Sequence, residues 1–137
     1  MPEPGPPSTQ DIANVAEFRA ALRRFLRTSE RAARQSGLTP QRHLLLLMIK
    51  GAADGSEQST VTELAARLQL AQSTVTELVR RAEEAGLIER EQSPRDGRVA
   101  NLRLTPEGER RLAKTYTDLE SERRALREAF RHLDETA

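Results

Sequence analysis

No cysteine occurs anywhere in the 137 residues, which removes disulfide frameworks, thiol redox sensing and thiolate metal sites together. Tryptophan is missing too, and the aromatic side chains stop at Phe18, Phe25, Phe130 and Tyr116. A core must then be assembled from Leu, Val, Ile and Ala, which suits helices packed on helices. Base-stacking modes of single-strand binding have too few rings to work with. His43 and His132 stand apart and cannot by themselves build a metal site, so neither metal nor cofactor is expected. There is no Ser/His/Asp or Cys/His set, no metal-ligand cluster and no phosphate-binding glycine loop, so no catalytic residues and no enzyme are predicted. No apolar run reaches membrane-spanning length, and Met1–Gln10 lacks the basic-then-apolar form of a signal peptide; the expected location is cytoplasmic, with no membrane partner. Net charge is only +1, so any attraction to phosphate must come from an uneven distribution of charge.

What is present centres on Gln58 to Gly108. A short helix is predicted over Glu63–Leu68, capped by Thr62, with Leu64, Ala65 and Leu68 as a buried stripe that Leu70 extends into the turn. A tight turn, Gln69 to Gln72, leads to a longer helix over Ser73–Ala85 whose Val75, Leu78, Val79 and Ala82 recur at helical spacing and face inward. Gly86 supplies the left-handed stop. Two strands, Leu87–Gln92 and Arg98–Leu104, then flank Ser93-Pro94-Arg95-Asp96-Gly97, whose Asp-Gly pair is turn chemistry. In the returning strand Ala100, Leu102 and Leu104 alternate with Val99, Asn101 and Arg103, so one face is buried. Helix, turn, helix and a two-stranded wing is a geometry whose second helix fits the major groove of double-stranded DNA while the wing reaches the neighbouring backbone.

The flanks read as machinery for pairing two such heads. Pro2, Pro4, Gly5, Pro6 and Pro7 make residues 1–10 an extended, disordered arm. Asp11 is placed to cap a helix running to about Ser36, with Gly37 at its stop. Val15, Phe18, Leu22, Phe25 and Ala32 form a narrow seam on it, with Ser29 its one polar member. Thr39-Pro40 opens a second helix in which Leu44 to Ile49 is apolar on all sides, as a central helix should be. Gly51 to Ser59 is a loop, and Thr60–Val61 is expected to add a short extended piece. Thr105-Pro106 starts the last helical region, where Leu112, Tyr116, Leu119, Leu126, Phe130 and Leu133 continue a spacing of three, four and seven, broken at Arg123. So charged a region is marginal alone and needs the Val15–Ala32 seam, from its own subunit, another, or both. The predicted fold is mainly α with a small β-wing (α+β): an arm (1–10), an N-terminal dimerisation helix (11–37), a winged helix-turn-helix unit (38–105) and C-terminal dimerisation helices (106–137). Val15, Phe18, Leu22, Phe25, Leu119, Leu126, Phe130 and Leu133 are the expected dimerisation residues.

The expected DNA-facing residues are Thr62, Gln72, Ser73, Thr74, Thr76, Glu77, Arg80, Arg81, Arg95, Asp96 and Arg98. Short hydroxyls at Ser73, Thr74 and Thr76 sit where the helix enters the groove and can meet phosphate or bases closely. Gln72 carries a bidentate amide suited to adenine; Glu77 can accept from cytosine N4 or be a solvated charge. Arg80 and Arg81 are better placed for phosphate, and Arg95 and Arg98 project from a hairpin narrow enough for a minor groove. Against this, Gln72 to Arg98 holds five arginines and six acids, a net charge of −1, so the acids at 83, 84, 89 and 91 must point away from DNA. One recognition helix reads too few base pairs to select a site. A two-fold pair reads a pseudo-palindrome with half-sites ~34–36 Å apart, so a homodimer is expected.

With these residues stated, the chain resembles the MarR (multiple-antibiotic-resistance regulator) family of winged-helix transcription factors. Val61-Thr62-Glu63-Leu64-Ala65 with Gln72-Ser73-Thr74-Val75-Thr76 looks like the family's two-helix reader. Ala85-Gly86-Leu87-Ile88-Glu89-Arg90 looks like its exit into the wing, and Asp96-Gly97-Arg98 with Leu102-Arg103-Leu104-Thr105 and Gly108 like its wing signature. There are departures. Glu77 and Arg80 stand where the family commonly has Arg and then Asp, and Ala82 where Leu is common. The family's Asp often braces the wing Arg; Arg80 with Arg98 cannot, leaving Asp96 to pair with Arg98 or with an arginine of the recognition helix. The resemblance implies a bacterial-type repressor released by a small, often aromatic and anionic, ligand bound between dimer helices and reading head. His43, near that junction, is either a ligand or pH-sensing residue or simply a satisfied polar one. The rival reading is a winged-helix module that binds protein without specific DNA binding.

Overall fold

The structure, a computed structural model, describes residues 5–92 and 97–134. Its elements run α1 (Thr9–Gln35), α2 (Pro40–Lys50), α3 (Val61–Leu68), α4 (Gln72–Glu84), β1 (Ile88–Gln92), β2 (Ala100–Leu104), α5 (Pro106–Asp118) and α6 (Glu120–Asp134). The strands pair antiparallel, Ile88 opposite Leu104 and Gln92 opposite Ala100. None of the helices is long and apolar enough to cross a membrane among the described residues.

Two helix starts differ from the sequence reading for one reason. Ser8, not Asp11, caps α1: the Ser8 hydroxyl accepts from the Asp11 amide and the Asp11 carboxylate accepts in return from the Ser8 amide. Thr60, not Thr62, caps α3 in the same reciprocal way with Glu63. Each cap uses an acid three residues on, so two orphan donors are satisfied together and the helix begins earlier than a cap chosen for nearness alone would allow. Thr9 and Gln10 therefore belong to α1 and not to an arm, and Thr60–Val61 is cap and first turn, not an extended piece. The extended contact falls one residue before, at Ser59, which bridges Leu102.

One apolar cluster joins the middle of the chain. Leu45, Leu46 and Ile49 of α2, Leu64 of α3, Val75, Val79 and Ala82 of α4, and Leu87 and Leu102 of the wing are all fully buried in it. α2 is not enclosed on every side: Leu44 and Leu47 remain open, because its neighbours cover the other face. Leu70 is exposed as well, since Gln69 takes a left-handed conformation (φ 55°) that turns the chain sharply after α3. Gly86 likewise has φ +74°, and its carbonyl accepts from the Thr105 hydroxyl at 2.6 Å. Gly108 is needed for closeness: a Cβ there would meet the Leu87 carbonyl oxygen at 2.1 Å. Wing exit and α5 are thus locked backbone to backbone, the Thr105 amide donating to that same Leu87 carbonyl.

The terminal helices pack on each other within the chain, α1 against α6 more extensively than any other pair of elements. Phe18 meets Phe130 edge to face at 5.8 Å between ring centres. The last helical region is two helices, broken at Leu119, which caps α5. At the joint with the reading head, the buried Thr115 hydroxyl of α5 bonds Ser36 at the end of α1 (2.9 Å), and Arg111 donates to the Gly37 carbonyl.

Candidate nucleic-acid interface

Amphipathic spacing sets the direction of α4. Val75, Val79 and Ala82 go to the core, which turns Gln72, Ser73, Thr74, Thr76, Arg80 and Arg81 outward, all exposed. Gln72 is the first helical residue and not part of the turn; Ala71 is the N-cap and offers no side-chain bond. The free amides of the first turn therefore point outward beside the hydroxyls of Ser73 and Thr74, an arrangement suited to an anion or a base edge. Thr62 of α3 reaches this end of α4, its hydroxyl accepting from Gln72 Nε2 at 3.3 Å. That bond leaves the Gln72 amide oxygen to accept elsewhere.

Farther along, Glu77 gathers the helix's cations. Arg80 chelates it through Nε (3.0 Å) and Nη2 (2.5 Å), and Arg81 Nε adds a third bond at 3.1 Å. Arg80 also reaches Glu84 at 2.5 Å. The Arg80 guanidinium, helped by Arg81, holds the Glu77 carboxyl down at about 2, and Glu77 in turn pushes the Arg80 pKa up. The other acids of concern are paired too: Glu83 with Arg90 at 2.6 Å, Glu89 and Glu91 with Arg103 at 3.0 and 3.6 Å. These are exposed pairs, whose value lies in where they park charge and not in stability.

On the wing, Arg98 is exposed and lines a notch of about 180 Å³ together with Thr60, Thr62 and Arg90, where the hairpin meets the start of α3. Arg95 and Asp96 lie outside the described residues, and with them the Asp96 pairing expected from the sequence. Among the described residues Arg80 pairs with Glu77 and Glu84, acids of its own helix.

His43 is buried on α2, which lowers its pKa, and it lines a cleft of about 270 Å³ with Leu26, Ser29, Glu30, Pro40 and Leu44. Sequence reading singled out only His43; the one available signal for the rest was Ser29, a polar residue interrupting an apolar row. Among the described residues no group of three or more His, Asp or Glu is arranged to hold a metal ion. The predicted dimerisation residues divide. Leu119 is buried inside the chain, Phe18, Leu22, Phe25, Leu126 and Leu133 are half-buried, and Val15 and Phe130 are more than half exposed, as are Ile12, Leu26 and Tyr116.

With this geometry in view, the comparisons with known proteins agree with one another. A family model described as the MarR family matches residues 36–99. The chain is 29% identical over 127 residues to the uncharacterized HTH-type transcriptional regulator YsmB of Bacillus subtilis (strain 168), across 90% of this chain and 84% of the relative. It superposes on the crystal structure of a MarR family transcription regulator with a TM-score of 0.68 at 25% identity, covering 83% of this chain and 73% of the other. The M. tuberculosis transcriptional regulator MOSR, solved in complex with DNA, is similar at a TM-score of 0.59 and 28% identity, over 77% of this chain and 73% of that one.

Proposed function

We propose that this chain is a winged helix-turn-helix transcription regulator of the MarR family, not an enzyme, and that two copies bind a pseudo-palindromic operator in double-stranded DNA. The amino end of α4 enters the major groove. Gln72, Ser73, Thr74 and Thr76 meet base edges and nearby phosphates there, with Thr62 holding Gln72 in place and Arg80 and Arg81 nearer the backbone. The wing, through Arg98 and by extension Arg95 and Asp96, lies along the adjacent minor groove. The observation that carries this reading is the polarity of α4: an inner face where Val75, Val79 and Ala82 are fully buried and Leu78 partly so, and an outer face of amide, hydroxyl and guanidinium groups open at the helix end where backbone amides are free.

Pairing falls to the terminal helices. Val15 and Ile12 on α1 and Phe130 and Tyr116 toward the other end of the chain expose large apolar surface, an aggregation hazard unless a second copy covers it. The chain acts as a repressor, and a small aromatic anion seated by His43 releases it. The ligand needs only to favour a head spacing that no longer matches the half-sites; about a 10⁴-fold preference between states is enough to invert the population. The test is selection of bound sequences from a random duplex pool. Enrichment of an inverted repeat with half-site centres one turn apart is expected. A pool that stays random, with no binding at low salt, would sink this reading and favour a protein-binding module.

A further inference from the structure

The recognition helix carries two cations, Arg80 and Arg81, and both are held by one side chain. Glu77 lies one turn before them on the same exposed face, so Arg80 follows at i+3 and Arg81 at i+4. Oε1 of Glu77 accepts from Arg80 Nη2 and Arg81 Nε, while among the described residues Oε2 accepts only from Arg80 Nε. Glu84, one turn later, takes Arg80 from the other side. α4 therefore presents no net positive charge: its two arginines stand against Glu77, Glu83 and Glu84.

Phosphate attraction is independent of sequence and supplies most non-specific affinity. A guanidinium already chelated by a carboxylate on its own helix must leave that partner before it can neutralise a phosphate, so the chelate opposes indiscriminate binding. A carboxylate has about four acceptor positions, and Glu77 uses three, leaving one on Oε2. The group that suits such a position in the major groove is an exocyclic amino donor, for which cytosine N4 is the fitting partner of an acidic side chain.

We propose that Glu77 is a specificity-determining residue that withholds Arg80 and Arg81 from the phosphate backbone and reads cytosine N4 through its remaining acceptor position. The inference rests on the DNA-binding reading above. At a site with cytosine facing it, the carboxylate gains a donor and stays braced; at guanine or thymine it confronts carbonyl oxygens that repel it, and at adenine the N6 donor lies beside the acceptor N7, which repels it. Since Arg80 keeps its carboxyl near 2, Glu77 remains charged throughout the working pH range, and the discrimination does not depend on pH there.

The experiment compares wild type with Glu77→Gln and Glu84→Gln, using fluorescence anisotropy on random-sequence duplex and on the duplex enriched by selection, each over a salt series. Thermal melts confirm folding; Glu77 points away from the core residues Val75 and Val79. Glu77→Gln should tighten binding to random duplex, steepen the log–log salt dependence by up to about 1.8 as two arginines reach phosphates, and reduce the selected-to-random affinity ratio by about tenfold, with cytosine preference lost at one position per half-site. Glu84→Gln frees only one side of Arg80 and should keep the cytosine preference. If wild type discriminates between the duplexes and Glu77→Gln behaves identically, or weakens both by one factor, Glu77 has no such role although DNA binding stands. If wild type binds neither duplex at low salt, the DNA-binding reading itself fails and this inference with it.

Discussion

Large apolar side chains of the reading head lie inside it, whereas several on the terminal helices lie outside. Leu45, Leu46, Ile49, Leu64, Leu87, Leu102, Val75 and Val79 are completely enclosed between α2 and the wing. The residues enclosed on α1 are small, Ala21, Ser29, Ala32 and Ala33, while Ile12, Val15 and Leu26 stay exposed. The head thus packs around an interior that Ala33 of α1 and Leu112 of α5 also enter, and it holds its shape by the hydrophobic effect acting within one chain. The terminal pair joins through half-buried Phe18 against the more exposed Phe130 and leaves apolar area over. A rigid head suits a part that must present side chains to fixed positions on a duplex, and an unfinished surface suits a part whose partner arrives from outside.

The comparison breaks most readily in the interior. Leu46→Ala should cost about 2–5 kcal/mol of stability through lost contacts and an unfilled cavity. Chemical denaturation measures this, and a loss below about 1 kcal/mol would deny the head a tightly packed interior. On the other side of the contrast, Val15→Asp should leave the head folded and divide the proposed dimer. Sedimentation would show the smaller species, and affinity for a two-half-site duplex should fall by about 10²-fold or more with single half-site binding kept. A dimer of undiminished strength would place the interface elsewhere. Third in size is a split within the head: Gln72→Ala should relax preference at particular bases by ~1–3 kcal/mol, while Arg98→Ala should weaken all duplexes alike. A uniform loss from Gln72→Ala would make it a backbone contact.

The smallest expected effect is at the boundary between the two regions. Burial holds His43 below its ordinary value of 6.5, so the unfolded chain takes up the proton first as pH falls. Stability is then full above pH 6.5, declines below it, and levels off under the folded value. Melting temperatures on either side of pH 6.5 should differ more in wild type than in His43→Gln. Equal differences would mean that His43 is not responsible.

Some of what the sequence reading missed was written in the chain all the same. Ser8 with Asp11 and Thr60 with Glu63 have capping-box spacing, and the reciprocal bond it allows starts each helix ahead of Asp11 and Thr62. The Glu77, Arg80 and Arg81 chelate is likewise a matter of i+3 and i+4 spacing. Other features had no local signal. Nothing near Leu44 or Leu47 in the chain announces that one side of α2 stays open, and nothing near His43 announces Glu30 or Leu26 beside it.

The amino-acid order by itself determined which segments are helices, which face of α4 is apolar, and where Gly86 and Pro106 punctuate the chain, because each of these depends on neighbours within a turn or two. Only the tertiary structure decided that Phe18 meets Phe130, that Thr115 bonds Ser36, and that Gly108 lies against the Leu87 carbonyl. Those contacts join residues far apart in the chain, and periodicity, which says that a face is apolar, does not say which other face will cover it.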